Sequence, residues 1–405
     1  MSLRELLALS DDEKRRRGLE FTPREIAQQP ITWQGTFRSC TRMHGALDDF
    51  LASAGVHPDR DDDPQSGRTV TRVGRPVIVL SGAGTSAYAG AAVADLFRKS
   101  WSCETRVIPS TDLVSHGRDL LIEGQNYFFI SFSRSGTSPE SVAAIGRLTN
   151  DFSAARHLVI TCNAQGLMVR EFAKHARIMC LVLGDEVNDR GLAMTSSFSN
   201  MVVAAQYVAS LGEPAAYGET LEEMSEAADR FLERASLTAA RHAQSGCSRV
   251  CFLGSGALTA VAQESALKVL EMTAGRVPTI ADSFLGIRHG PMAFLDRETL
   301  VVGFLSGDPH RRAYELDLLE EVRDKGLARS IVAVIPADDP RAKTLVDEAL
   351  CLDLHDVADD HRPPVDVAFG QLLGLFMSIR CGLMPDAPSE SGAIHRVVSG
   401  VRMYS

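Results

Sequence analysis

The 405-residue sequence predicts an α/β protein built from two tandem doubly wound parallel sheets behind an N-terminal helical extension. Short apolar runs alternate with longer Ala- and Leu-rich amphipathic stretches, and the runs are continuously apolar, as strands covered on both faces are. Landmarks also recur at an offset of 172 residues: Gly82-Ala-Gly84 with Gly254-Ser-Gly256, Phe132 with Phe304, Val159-Ile-Thr161 with Ile331-Val-Ala333. Finally, 45% hydrophobic and 23% charged residues describe an ordinary globular chain with material for two to three domains.

The elements follow in order. Residues 1–55 read as a helical extension, with Thr22-Pro-Arg-Glu25 as a helix start. Asp59-Arg-Asp-Asp-Asp-Pro64 reads as a solvated acidic turn. The first domain, 70–215, takes its strands from Pro76–Leu80, Thr105–Ile108, Tyr127–Ser131 and His157–Thr161. Heptad-like spacing over residues 216–245 predicts a connecting helix. The second domain, 240–385, uses Val250–Leu253, Val301–Phe304 and Ile331–Val334, and residues 386–405 form a tail.

A net charge of −10 disfavours phosphate backbones and anionic lipid surfaces as partners, while leaving a small anionic ligand open. No apolar run approaches the roughly 18 residues of a membrane span. The N-terminal stretch reaches Asp11-Asp-Glu-Lys-Arg-Arg-Arg17 without an apolar h-region, so a cytoplasmic protein is expected. Eight scattered cysteines fit buried thiols of a reducing compartment; Cys247 and Cys251 lack the second ligand pair of a metal site.

Two loops carry chemistry. Ser81-Gly-Ala-Gly84-Thr85-Ser86 lies between a strand and a helix, where glycines let backbone N–H groups face an anion and the hydroxyls add donors. Gly82-x-Gly84-x-x-Ala87 also satisfies a dinucleotide fingerprint, but the next strand ends Val107-Ile-Pro109-Ser110 without the acidic residue that would hold a ribose. The second loop, Ser131-Phe-Ser133-Arg134-Ser135-Gly-Thr-Ser138-Pro-Glu140, packs five hydroxyls and one guanidinium around a glycine. A helix cap accounts for one or two of these; a phosphomonoester accounts for the set. Both loops fall at carboxyl ends of strands in one sheet. No Gly-Lys-Ser/Thr follows the glycines, which excludes a Walker loop.

The second copy differs. Gly254-Ser-Gly-Ala-Leu-Thr259 lacks the serine cluster, and Leu305-Ser306-Gly-Asp308 is an acidic counterpart. Its helix places Glu264, Lys268 and Glu271 on one face, and Arg288-His289-Gly-Pro291 follows. A Glu and a His beside a sugar phosphate can shuttle protons, although each motif alone also reads as a surface ion pair or a turn.

These motifs resemble the paired sugar isomerase (SIS) domains of glucosamine-6-phosphate synthase, which implies a flavodoxin-like three-layer sandwich in each copy. Asn188-Asp-Arg-Gly-Leu-Ala-Met-Thr-Ser-Ser-Phe198 and the Pro385 to Val401 tail resemble more closely the tagatose-6-phosphate ketose/aldose isomerase and galactosamine-6-phosphate deaminase family, AgaS. The resemblance implies phosphate contacts at Gly84, Thr85, Ser86, Ser133, Arg134, Ser135 and Ser138, with Thr195, Ser196 and Ser197 lining the sugar side. It assigns the isomerising base to Glu271, the helix lysine to Lys268 and ring opening to His289, which comes from the neighbouring subunit in the synthase and so implies a homodimer with shared sites. The synthase's tail lysine has no counterpart after Lys343; His395 occupies roughly that region. Met1 is followed by Ser2, not by the synthase's glutamine-hydrolysing cysteine, so release of ammonia from an amino sugar phosphate is expected over its capture.

The expected reaction is galactosamine 6-phosphate to tagatose 6-phosphate and ammonia, by proton transfer between C2 and C1. It requires no metal or redox cofactor, since carbonyl and imine serve as electron sinks. Plain aldose–ketose isomerisation uses the same transfer. A sugar-phosphate sensor would keep the serine loop without the acid/base pair, and no helix-turn-helix is present to carry a DNA signal. A synthase fed by free ammonia is the third alternative.

Overall fold

The computed structural model describes residues 1–56, 75–398 and 400–404. The acidic run Asp59–Pro64, the first residues of the expected 70–215 domain and Ser399 of the tail lie outside them. The chain forms two compact units, one of residues 1–31, 189–199 and 220–396, the other of residues 32–188, 200–219 and 397–405.

Along the chain the elements are α1 (Leu3–Leu7), α2 (Asp11–Arg17), α3 (Thr22–Ala27), α4 (Gln29–Arg42), α5 (His44–Ser53), β1 (Val77–Ser81), α6 (Thr85–Trp101), β2 (Thr105–Val107), α7 (Ser110–Leu120), β3 (Tyr127–Ser133), α8 (Pro139–Asp151), β4 (Arg156–Thr161), α9 (Leu167–Phe172) and β5 (Ile178–Val182). There follow α10 (Ser196–Ala209), α11 (Pro214–Gln244), β6 (Arg249–Gly254), α12 (Ala257–Met272), β7 (Thr279–Ser283), β8 (Thr299–Phe304), α13 (Pro309–Asp324), β9 (Ser330–Ile335), α14 (Pro340–Leu345), β10 (Glu348–Cys351) and α15 (Pro363–Arg380). Helix α3 starts at Thr22 as expected, but the Thr22 hydroxyl donates to Asp386 at 2.6 Å and does not cap its own helix. None of the eight cysteines is in a disulfide.

Each unit holds one five-stranded parallel sheet. The orders are β2-β1-β3-β4-β5 and, read from the other edge, β7-β6-β8-β9-β10, the same doubly wound topology twice. The repeat extends to backbone detail. Gly84 precedes α6 with φ 56° and ψ −128°, and Gly256 precedes α12 with φ 57° and ψ −130°, values that glycine reaches without Cβ strain. A Cβ on Gly82 would lie 2.5 Å from the Ser86 carbonyl carbon, and one on Gly254 would lie 2.1 Å from the Leu258 carbonyl oxygen, so each helix turns directly back over its strand. The offset drifts at the fourth strand, where Phe132 pairs with Ile160 but Phe304 pairs with Val334. Structural equivalence there is 174 residues, and the match of Val159 with Ile331 is two residues out of register, because the second copy's connecting segment is longer.

The central strands β1, β3, β6 and β8 carry the cores, and β3 is buried throughout. Strands β5, β7 and β10 were absent from the sequence reading. They lie at sheet edges and are only partly buried, which dilutes the apolar signal.

His157 is fully buried on β4, stacked on Phe129 with ring centroids 4.8 Å apart. Burial, with Arg177 and His175 nearby, lowers its pKa from 6.5 to about 3. Unfolding therefore takes up a proton between those values, and stability is lost as pH falls below 6.5. His157→Phe is expected to flatten this acid slope by up to about 1.4 kcal/mol per pH unit, read from urea midpoints between pH 4 and 7; an unchanged slope would contradict it.

Candidate active site

In the unit of the first sheet, β3 delivers Ser133 and Arg134, both buried, to the loop before α8. Ser133 Oγ accepts from Gly136 N at 3.0 Å, and Ser135 Oγ accepts from Thr137 N at 3.2 Å and Thr137 Oγ1 at 3.1 Å. A hydroxyl used as an acceptor keeps its own proton to donate, so the folds that fix these serines leave their O–H groups available to an anion. Ser138 occupies the N-cap of α8 without a side-chain capping bond, ahead of Pro139. Thr85 and Ser86 are buried at the start of α6, behind Gly84.

The following loop braces this one. Asn163 Nδ2 donates to Ser135 O at 2.8 Å and Met168 N donates to Gly136 O at 2.9 Å. Gly136 has φ +61°, and a Cβ on Gly166 would sit 2.8 Å from Ser135 O, so the loops lie back to back. With the loop's carbonyls tied away, its donors define the open side. Asn163 was missed by sequence reasoning, since nothing local marks it as a partner of Ser135.

In the other unit, α12 buries Glu264 and Lys268 completely, while Glu271 is 30% exposed. Lys268 Nζ lies 3.2 Å from Glu264 Oε1 and donates to Glu271 Oε2 at 2.5 Å. Burial alone would lower the lysine's pKa; the two carboxylates override it and hold the pKa above its ordinary value. The ammonium in turn fixes the Glu271 carboxylate in one position. His289 ends a short turn over Gly286–His289 whose Arg288 is anchored to Glu321 at 2.8 Å. His289 is exposed, as is His395, and among the described residues neither imidazole makes a hydrogen bond or ion pair.

Thr195, Ser196 and Ser197 are buried around the N-terminus of α10. Asp189 gathers them: it accepts from Thr195 N (2.7 Å), Ser196 N (3.1 Å), Ser197 N (2.8 Å), Ser197 Oγ (2.5 Å) and Thr195 Oγ1 (3.3 Å). Ser196 Oγ accepts from Gln28 Nε2 at 3.0 Å. Arg396 Nε donates to Asp189 O at 2.6 Å, one residue after His395. Glu25 accepts from Arg190 N at 2.5 Å, and burial beside Asp189 raises its pKa to about 7. Asp189 escaped the sequence reading because a cap normally sits two or three residues before the groups it accepts from, and here the separation is six to eight.

A Streptomyces coelicolor protein carrying the AgaS name is 40% identical over 386 residues, 95% of each chain. The chain belongs to the AgaS family. The D-galactosamine-6-phosphate deaminase AgaS of Escherichia coli O157:H7 is 33% identical over 393 residues, 95% of each chain. The crystal structure of tagatose-6-phosphate ketose/aldose isomerase from Escherichia coli superposes with a TM-score of 0.82 at 30% identity, covering 95% of this chain and 96% of that one. No family model matches the chain. The architecture is that of paired SIS domains. Among the described residues, no helix is long and apolar enough to cross a membrane.

Asp189→Ala would leave three buried N–H groups without their shared acceptor, and is expected to cost about 3 kcal/mol of stability in urea unfolding. Asp189→Asn, which keeps one acceptor oxygen, should recover part of that loss. An alanine variant as stable as the parent would show that the turn is held otherwise.

Proposed function

We propose that this AgaS protein converts galactosamine 6-phosphate to tagatose 6-phosphate and ammonia. The observation that carries the reading is the Lys268-held carboxylate of Glu271, in a chain whose relatives bear that deaminase name. The serine loop, with Ser133, Arg134, Ser135 and Ser138, and the Gly84-Thr85-Ser86 turn supply the donors for the phosphate. The Thr195–Ser197 turn is assigned to the sugar side of the site.

With the ring opened, His289 assisting, Glu271 removes the proton from C2. The C2–H electron pair forms the C1=C2 bond of an enolamine, and the aldehyde oxygen is protonated. Return of the proton to C1 leaves a C2 iminium, and water adds there to give the ketone and expel ammonia. Atoms balance as amino sugar phosphate plus water giving ketose phosphate plus ammonia, and the carbonyl and iminium carry the electron pair. With a hydroxyl at C2 the same transfer is the ketose/aldose isomerisation that the structural relative is named for. A homodimer, with His289 acting from the neighbouring subunit, and a cytoplasmic location complete the reading, and His395 is the tail residue assigned to the sugar. A sensor has no need of a base clamped to a buried ammonium, which favours the enzyme.

Purified protein given galactosamine 6-phosphate or glucosamine 6-phosphate is expected to release ammonia from the galacto epimer. Silence on both, with phosphosugar binding intact, would overturn the deaminase reading. Glu271→Gln is expected to lower kcat by about 10²- to 10⁴-fold in a protein that still folds, since Glu264 remains as counterion to Lys268; near-parental turnover would remove Glu271 as the base. Ser133→Ala with Ser135→Ala is expected to raise KM far more than it lowers kcat, since ground-state and transition-state phosphate binding fall together.

A further inference from the structure

The second sheet has a loop equivalent to the serine loop, and its occupant is visible. Phe304 ends β8 as Phe132 nears the end of β3, and both following helices begin with proline, Pro309 and Pro139. The second loop is two residues shorter. Its donors are present: Ser306 N and Oγ, Gly307 N, and the Arg311 and Arg362 guanidiniums.

All of them are satisfied by carboxylates of the protein itself. Asp359, on the segment between β10 and α15, accepts from Gly307 N at 2.7 Å and Arg362 Nη1 at 2.9 Å through Oδ1, and from Ser306 Oγ and, at 3.2 Å, Arg311 Nη1 through Oδ2. Glu315, fully buried on α13, accepts from Ser306 N at 2.7 Å. Arg362 is itself fully buried and carries a second partner, Asp366, at 2.7 Å. The helix termini repeat the contrast. Asp308 caps α13 with its own carboxylate, accepting from Arg311 N at 2.9 Å, whereas Ser138 leaves the start of α8 uncapped by its side chain.

We infer that Asp359 is a resident anion: the second sheet keeps a complete anion-binding site at its topological switch point, filled by the protein's own carboxylate. External phosphate is thereby excluded from that sheet, and each chain takes one phosphoryl group. Two guanidiniums, a hydroxyl and a backbone N–H converge on one carboxylate in a buried setting, which is the donor set of a site for an oxyanion and more than a helix-terminal cap requires. Removing the carboxylate leaves the donors buried and unpaired. The vacated space suits a small carboxylate such as formate, and this does not depend on the sugar that the protein acts on.

The test is chemical rescue in the full chain. Asp359→Ala is expected to lower Tm by roughly 10 °C, and sodium formate at about 100 mM to recover at least half of that shift by mass action. Sodium chloride of equal ionic strength should recover none. Asp359→Asn fills the space with an amide, so it and the parent protein should be unmoved by formate. An alanine variant as stable as the parent, or a formate shift equal in all three proteins, would overturn the inference. If the alanine variant yields no folded protein, equilibrium dialysis of the parent against radiolabelled inorganic phosphate decides: at most one phosphate per chain supports a filled second site, and two overturn it.

Discussion

Buried helix starts must find acceptors for their first N–H groups, and how each start meets that demand organises this protein. Asp189 serves α10, Asp308 serves α13 and Asp339 serves α14. The loop ahead of α13 draws on Asp359 as well. The starts of α6 and α8 are among those without a side-chain cap: behind Gly84 the Ser86 and Ala87 N–H groups donate to the Ala83 and Gly84 carbonyls, and Ser138 makes no capping bond. What distinguishes the first sheet is that its loops carry seryl hydroxyls and the buried Arg134 where the second sheet carries carboxylates, which is the chemistry of a phosphate site.

The same logic of internal satisfaction governs the acid/base helix. An ammonium buried alone would surrender its proton. Lys268 keeps it because Glu264 and Glu271 stand one turn to either side, and only Glu271 reaches solvent. The buried glutamate supplies charge balance, which frees the exposed one from being the sole counterion. Three residues at i, i+4 and i+7 thus make a unit in which one carboxylate stabilises and another is presented.

The fold was largely legible because its signals are local. Continuous apolar runs marked the central strands, and Gly82-Ala-Gly84 and Gly254-Ser-Gly256 marked the two strand–helix turns whose backbone angles agree within a few degrees. Edge strands such as Thr279–Ser283 were not legible, being half-buried and of mixed polarity. Nor were the long-range polar partners. Asn163 to Ser135, Asp359 to Ser306 and Arg396 to Asp189 join residues 28, 53 and 207 positions apart. No spacing rule reaches that far, so the serine loop could be read as a donor set while its brace could not. The acidic character of Leu305-Ser306-Gly-Asp308 was visible; that a more distant aspartate fills the loop was not.

The turn around Asp189 also has a meaning in time. It is bonded by Glu25 from the first helices and by Arg396 from the tail, while Asp386 receives Phe21 N and Thr22 N. On a ribosome, residue 25 emerges long before residue 396. The unit containing them therefore cannot complete its polar core while its chain is still being made, whereas the first sheet, β1 to β5, has all its strands by residue 182. Vectorial synthesis separates two copies of one topology into an early and a late folding task, with Thr22 held over, its N–H and hydroxyl waiting for the Asp386 carboxylate that arrives with the final segment.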